Sequence, residues 1–395
     1  MRPLLFPLFL LLTNAHADWP QFRGPNTSGI ASGPEISNTL NEADIRWKIS
    51  LPGRGLSSPI ILGDRVVISA ASGPHQERLH VLCFSTTDGK KLWERQFEAT
   101  GRTMSHEKTC VAAPTPCSDG ERIYVQYSTN DLVCLDLKGT LIWLRGLTHD
   151  YPNASNSLGM ASSPIVVEKT LVAMLENDSD SFTVGLDVKT GVNVWKLPRP
   201  KIANWTSPVA FTTNGKTNVV LLSNDGVAAV DPVTGSQLWR IPGGTTTPSC
   251  VVAGTVLFVP SGGTTAYDLT KSGGPPEELW QSAQLGNATA SPLVAGEFIY
   301  TINGAGVLAK ASAKDASPIW KLRLNGKFSG SPVISGTTLC AASEDGTLKL
   351  VDTTAPEGNL TTDLKLGGTI LCTPAISNGS IYLRSDQHLW KIGGK

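Results

Sequence analysis

Apolar and polar positions along the chain repeat on a long beat. Short runs of small and β-branched residues alternate with turns carrying Gly, Asn or Asp. Each group opens on Ser or Thr followed by Pro, as in SSPIILGDRVVIS at residues 57–69. The opening prolines are Pro59, Pro116, Pro164, Pro208, Pro248, Pro292, Pro332 and Pro374, a period near 42 with insertions in the first two units. Apolar runs of this length bounded by turn residues read as strands. A repeat of this size built from strands reads as a propeller blade of four strands. Eight openings therefore predict an all-β, eight-bladed β-propeller. No long stretch keeps the 3.6-residue apolar period of a helix.

A tryptophan keeps the same beat. Trp93, Trp143, Trp195, Trp239, Trp280 and Trp320 close six units, and Leu364 takes that place in the seventh. Turns of the form Asp-x-x-(x)-Gly precede several of them, at Asp88-Gly89, Asp136 to Gly139, Asp187 to Gly191 and Asp231 to Gly235. Such turns between apolar runs predict hairpins. A large ring once per unit predicts apolar packing between neighbouring sheets. The eighth unit, TPAISNGSIYLRSDQHLWKIGGK, holds three strands, with Trp390 in the third. The fourth strand is predicted at residues 44–50, DIRWKIS, where Trp47 precedes the first unit. Pairing these ends removes the open edge that a ring of sheets would otherwise leave.

The segments outside the repeat complete the organisation. Arg2, the apolar run Leu4 to Leu12 and the small-x-small triplet Ala15-His16-Ala17 read as a secretory signal cleaved after Ala17. Residues 18–43 form an arm rich in Gly, Pro and Asn, expected to pack on the propeller that spans 44–395, because Trp19, Phe22 and Arg23 are costly to leave loose in water. The expected setting is secreted or periplasmic, with no transmembrane segment, and the chain is expected to be a monomer. Lys plus Arg equals Asp plus Glu at 33 each. That balance argues against nucleic acid as a bulk electrostatic partner. Seven cysteines are present without a CxxC or Cys-Cys pair, and Cys110 with Cys117 is the pair to test for a disulfide.

In a four-stranded blade the connection into the first strand and the loop between strands two and three emerge on one face. Loops on a rigid scaffold carry function more often than strands. That face is predicted to present Arg54, His75, His106, Lys108, Asn153, Asn156, Asp178, Asp180, Asn204, Trp205 and Lys327, with Asn224-Asp225, Asn303, Glu344-Asp345 and Ser385-Asp386 continuing a polar ring. His106 and Lys108 form the most site-like cluster, able to bind an anion or move a proton. No P-loop, HExxH or GxSxG occurs, and no catalytic set is singled out.

The SSP, TSP, ASP and GSP openings, the units NDGVAAVDPVTGSQLWRI (224–241) and EDGTLKLVD (344–352), and the arm DWPQFRGPNTSGIA resemble the pyrroloquinoline-quinone (PQQ)-type propeller repeat family over about residues 18–395. The resemblance implies two kinds of function. One is a quinoprotein dehydrogenase with PQQ and Ca²⁺ at the central mouth, where Trp205 would stack and the loop Glu176-Asn177-Asp178-Ser179-Asp180 would offer oxygen ligands. The absent Cys-Cys excludes the vicinal disulfide of many such enzymes. The other is a cofactor-free propeller, like the periplasmic lipoprotein that helps assemble outer-membrane β-barrels. The reading preferred is a non-catalytic binding or scaffold module, without metal or cofactor, whose partner is a protein, peptide or glycan met by the loop face and blade edges.

Overall fold

The computed structural model describes residues 18–154, 158–271 and 273–394. The signal segment and Asn156 lie outside these residues. Eight antiparallel four-stranded sheets make up the ring, so the eight-bladed propeller expected from the repeat is what the chain adopts. The first blade is Ile60–Leu62, Arg65–Ser72, Arg78–Ser85 and Lys91–Glu98. Burial falls from the axis outward. Arg65–Ser72 and Thr170–Leu175 are buried almost throughout, whereas Lys91–Glu98 is mostly open to water. The inner strands are sandwiched on both faces and therefore read as continuous apolar runs, while the outermost strand has a wet face.

The last blade is completed from the other end of the chain. Ile45–Ser50 pairs with His388–Gly393, setting Lys48 opposite Trp390 and Ile49 opposite Leu389. Trp47 is 9% exposed and lies 6.0 Å from Tyr382, ring centre to ring centre.

Two repeats place hydrogen bonds between blades. At the axis, the residue before each opening proline donates its backbone N–H to the hydroxyl of the equivalent residue in the next blade. The chain of donors runs Ser58, Thr115, Ser163, Ser207, Ser249, Ser291, Ser331, Thr373 and back to Ser58, at 2.9–3.1 Å. This closed belt corrects the fifth opening. Ser249, one residue past Pro248, carries the belt hydroxyl, and Cys250 rather than Pro248 stands where the other blades have proline. The hydroxyl, not the proline ring, fixes the register. Replacing Ser163 with Ala is expected to leave the Thr115 N–H unpaired and to cost about 1–3 kcal/mol in urea unfolding. A change at exposed Ser236 should cost none of it.

Further out, the tryptophans act as wedges between blades. The indole N–H groups of Trp47, Trp93, Trp143, Trp195 and Trp280 donate to the carbonyls of Thr86, Leu137, Val188, Pro232 and Ala313, each in the following blade. The glycine of that blade's Asp-to-Gly turn lies flat on the ring. A Cβ on Gly139 or Gly191 would come 2.7 Å from the Trp93 or Trp143 indole, and both glycines have positive φ. The Asp-to-Gly turn and the Trp are thus two halves of one contact. In the seventh blade the register puts Thr362, not Leu364, in the Trp place, because Leu350 faces Thr362 just before the strand irregularity that elsewhere accompanies Trp. The lead-in to the closing strand covers this smaller residue, with the Leu40 N–H donating to Thr362 Oγ1 at 2.9 Å.

The arm crosses the face opposite the loops. Trp19 pairs with Ile61 of the first blade, Ile30 with Ile334 of the seventh, and Pro20 accepts from the Ser118 N–H of the second. Between them Arg23 is 1% exposed and donates to the carbonyls of Pro292 and Cys250. Burial lowers its guanidinium to about 10, so it stays charged in neutral water.

Candidate functional site

The belt forms the inner wall of a cavity of about 420 Å³ opening on the loop face. Phe22 of the arm also lines it. Higher on the wall stand Leu56, Ala113, Leu158, Ala161, Leu371 and Trp205, with His106 and Lys108 among the lining residues. Apolar walls with a few polar groups suit a small molecule or a short chain segment.

The long connection between the first two blades places the cationic group. The His106 N–H donates to the Leu158 carbonyl at 2.8 Å, and His106 Nδ1 accepts from the Lys108 N–H at 3.1 Å. Lys108 Nζ reaches across to Glu344 Oε2 at 3.4 Å, and Ser329 donates to the other oxygen of that carboxylate. Arg54 braces the same connection through the Glu107 carbonyl at 2.6 Å and pairs with Asp386 at 3.3 Å. Trp205 is pinned by its indole N–H to the Gly159 carbonyl at 2.8 Å, so it forms a fixed wall.

Of the residues expected on this face, His106, Lys108 and Trp205 line the cavity, and Arg54 supports them from outside. Asp178, Asp180 and Lys327 do not line it. Asp178 is exposed, Asp180 pairs with Lys196 at 3.5 Å, and Lys327 contributes its carbonyl to the Glu344 N–H. Sequence reading placed Glu344 on the polar ring without its pairing to Lys108, and missed the belt hydroxyls and Phe22. The Ser or Thr beside each repeat proline was the available signal for the belt. Nothing local marks Phe22, which arrives from the arm.

The Ca²⁺-bound quinone implied by the resemblance fits these residues poorly. Glu176 is fully buried and satisfied by Arg199 Nε at 2.5 Å, Ser223 Oγ at 2.7 Å and Asn204 Nδ2 at 2.9 Å. Asn177 folds back on its own loop, accepting from the Ser179 N–H and donating to the Leu175 and Asp180 carbonyls. A hard cation needs several converging oxygens. Among the described residues, no group of three His, Cys, Asp or Glu side chains converges in that way.

All seven cysteines are buried free thiols. Cys110 and Cys117 belong to different cores, the first between blades one and two and the second between blades two and three, so the disulfide considered from sequence does not form. Burial pushes Cys110 and Cys372 up to about 11, and Cys83 and Cys134 up to about 12. Only the thiolate is a strong nucleophile. Native protein at pH 8 is therefore expected to resist a disulfide-exchange reagent for minutes, and guanidinium should release all seven thiols. Rapid labelling of Cys372, which lines the cavity, would contradict this.

A family model described as outer membrane protein assembly factor BamB matches residues 39–178, 98–304, 223–327 and 276–361, most of the chain. No curated protein matches the sequence. Among solved structures, BamB from Moraxella catarrhalis superposes with a TM-score of 0.64 at 15% identity, covering 89% of this chain and 97% of that one. A europium-containing methanol dehydrogenase gives 0.74 at 11% identity, covering 96% and 98%. The quinohemoprotein alcohol dehydrogenase from Comamonas testosteroni gives 0.71 at 12%, covering 96% and 81%. Likeness at such identities speaks for the fold, which binding proteins and enzymes share. No helix among the described residues is long and apolar enough to cross a membrane. With the repeat, the closed ring and the match across most of its length, the chain belongs to the PQQ-like β-propeller family.

Proposed function

We propose that the mouth of the ring is a non-catalytic binding site, that the protein works outside the cytoplasm, and that a protein partner inserts an extended segment into this mouth. The observation that carries this reading is the cavity itself. Its apolar walls and hydroxyl belt are rigidly braced, His106 and Lys108 stand at its side with Lys108 paired to Glu344, and Glu176 and Asp180 are committed to Arg199 and Lys196. A rigid pocket spares a partner the entropy of ordering the receptor. The family match to an assembly factor supports a protein partner rather than a small metabolite. A quinoprotein oxidoreductase is the competing reading, favoured by the dehydrogenase folds and by Trp205 in the wall.

The test uses tagged protein and envelope extract, with Lys108→Glu and Trp205→Ala as mouth variants and Leu279→Asp as an outer-edge variant. Loss of a captured partner in the mouth variants, with retention at the edge, is the expected result. Capture that survives both mouth changes contradicts the proposal. So does a PQQ and Ca²⁺ titration that gives dye-linked alcohol oxidation.

A further inference from the structure

A second cluster of polar residues lies on the first blade, outside the lining of the cavity. Ser72, His80 and Glu94 stand on one face of three adjacent strands, where strand pairing sets Ser72 opposite Arg78, Leu82 opposite Glu94 and His80 opposite Gln96. Ser72 Oγ lies 2.7 Å from His80 Nε2, and His80 Nδ1 lies 2.8 Å from Glu94 Oε1. His80 is 3% exposed, while Ser72 is half-buried at the strand end beside the loop face. The Gly53 backbone packs directly on this strand end: a Cβ there would sit 2.1 Å from the Ala71 carbonyl oxygen and 2.8 Å from Ser72 Cβ. Alongside Glu94 runs a groove of about 320 Å³ between the first and eighth blades, with Ile49, Pro52, Leu82 and Phe84 in its wall.

We propose that Ser72, His80 and Glu94 form a nucleophile, a general base and a positioning residue that accept an acyl group from activated esters, with the apolar groove taking part of the substrate. The chemistry follows from the hydrogen-bond inventory. Burial alone would raise the Glu94 carboxyl, but hydrogen bonds from Lys91, His80 and Gln96 outweigh it and hold it down to about 2. An ionised carboxylate only accepts, so His80 carries its proton on Nδ1 and turns a lone pair on Nε2 toward the Ser72 hydroxyl. Ser72 Oγ attacks the ester carbonyl as its proton passes to Nε2. The tetrahedral adduct then collapses, the bond to the leaving alcohol breaks, and His80 returns the proton to that alcohol's oxygen. Water, deprotonated in turn by His80, releases the acid and restores Ser72. This chain draws on general-base catalysis, so its substrates are esters whose leaving group departs readily, such as aryl esters.

Folded full-length protein treated with a fluorophosphonate is expected to carry one adduct, located on Ser72 by peptide mass spectrometry. Ser72→Ala should abolish it, and Glu94→Gln should slow it by about a hundredfold. Imidazole nitrogen shifts of wild-type protein should report the Nδ1–H tautomer at His80, a readout independent of how the variants fold. No adduct at Ser72, equal labelling in urea, or an Nε2–H tautomer in the wild type would overturn the proposal.

Discussion

Replacing Trp47 with alanine is expected to lower unfolding stability by about 3–5 kcal/mol, the range for truncating a buried Trp. The size follows from position. Trp47 packs in the core between the last blade and the first, its indole donates to the Thr86 carbonyl at 3.2 Å, and Gly89 lies against the ring. It also sits on the one strand that joins the two ends of the chain. A cavity there weakens both the wedge and the strand that hides the last blade's edge, so aggregation on mild heating should accompany the loss. Leu92→Ala, at a 46% exposed position on the outer strand of the first blade, serves as control and should stay within about 0.5 kcal/mol. A Trp47→Ala protein within 1 kcal/mol of the parent would show that the closing strand contributes little.

Replacing Arg199 with methionine is expected to cost a similar amount, about 3–5 kcal/mol, because it leaves the Glu176 carboxylate buried with only neutral donors, Ser223 and Asn204. The Glu176 and Arg199 side chains are 0% and 5% exposed, so water screens neither. Glu176→Gln should also destabilise. The double variant should recover part of the loss, since removing both charges removes the penalty of an unpaired one. Equilibrium urea unfolding of the four proteins closes the cycle. Arg199→Met as stable as the parent would mean that solvent reaches Glu176. Asn204, which donates to Glu176, precedes Trp205, so the same variant is also expected to loosen the cavity wall.

The sequence disclosed the ring because each blade repeats the same solution to the same problem. Inner strands buried on both faces leave continuous apolar runs, and the outermost strand must present one Trp to its neighbour. Closure was legible for the same reason: Trp47 was a wedge without a blade and Trp390 belonged to a blade without an outer strand. Where blades depart from the repeat, reading faltered. Pro248 misled because proline is conspicuous while the hydroxyl at Ser249 sets the belt. Leu364 misled because the strand irregularity before Thr362 cannot be counted from spacing. The mouth was only partly legible. His106 and Lys108 lie in the connection into the second blade, Trp205 in that into the fourth and Glu344 in a loop of the seventh, all with directions that topology fixes, whereas Phe22 reaches the mouth from the arm. The Ser72–His80–Glu94 chain left no motif, since its members meet through pairing of three strands.

All placement of loops on a shared rim depends on the ring being closed by the segment before the first blade. Native-state hydrogen exchange, followed residue by residue across Ile45–Ser50, tests that most directly. The ladder amides of this segment are expected to exchange as slowly as those of His388–Gly393, opening only with the whole ring. Exchange at the rate of an exposed loop, while His388–Gly393 stays protected, would contradict the closure.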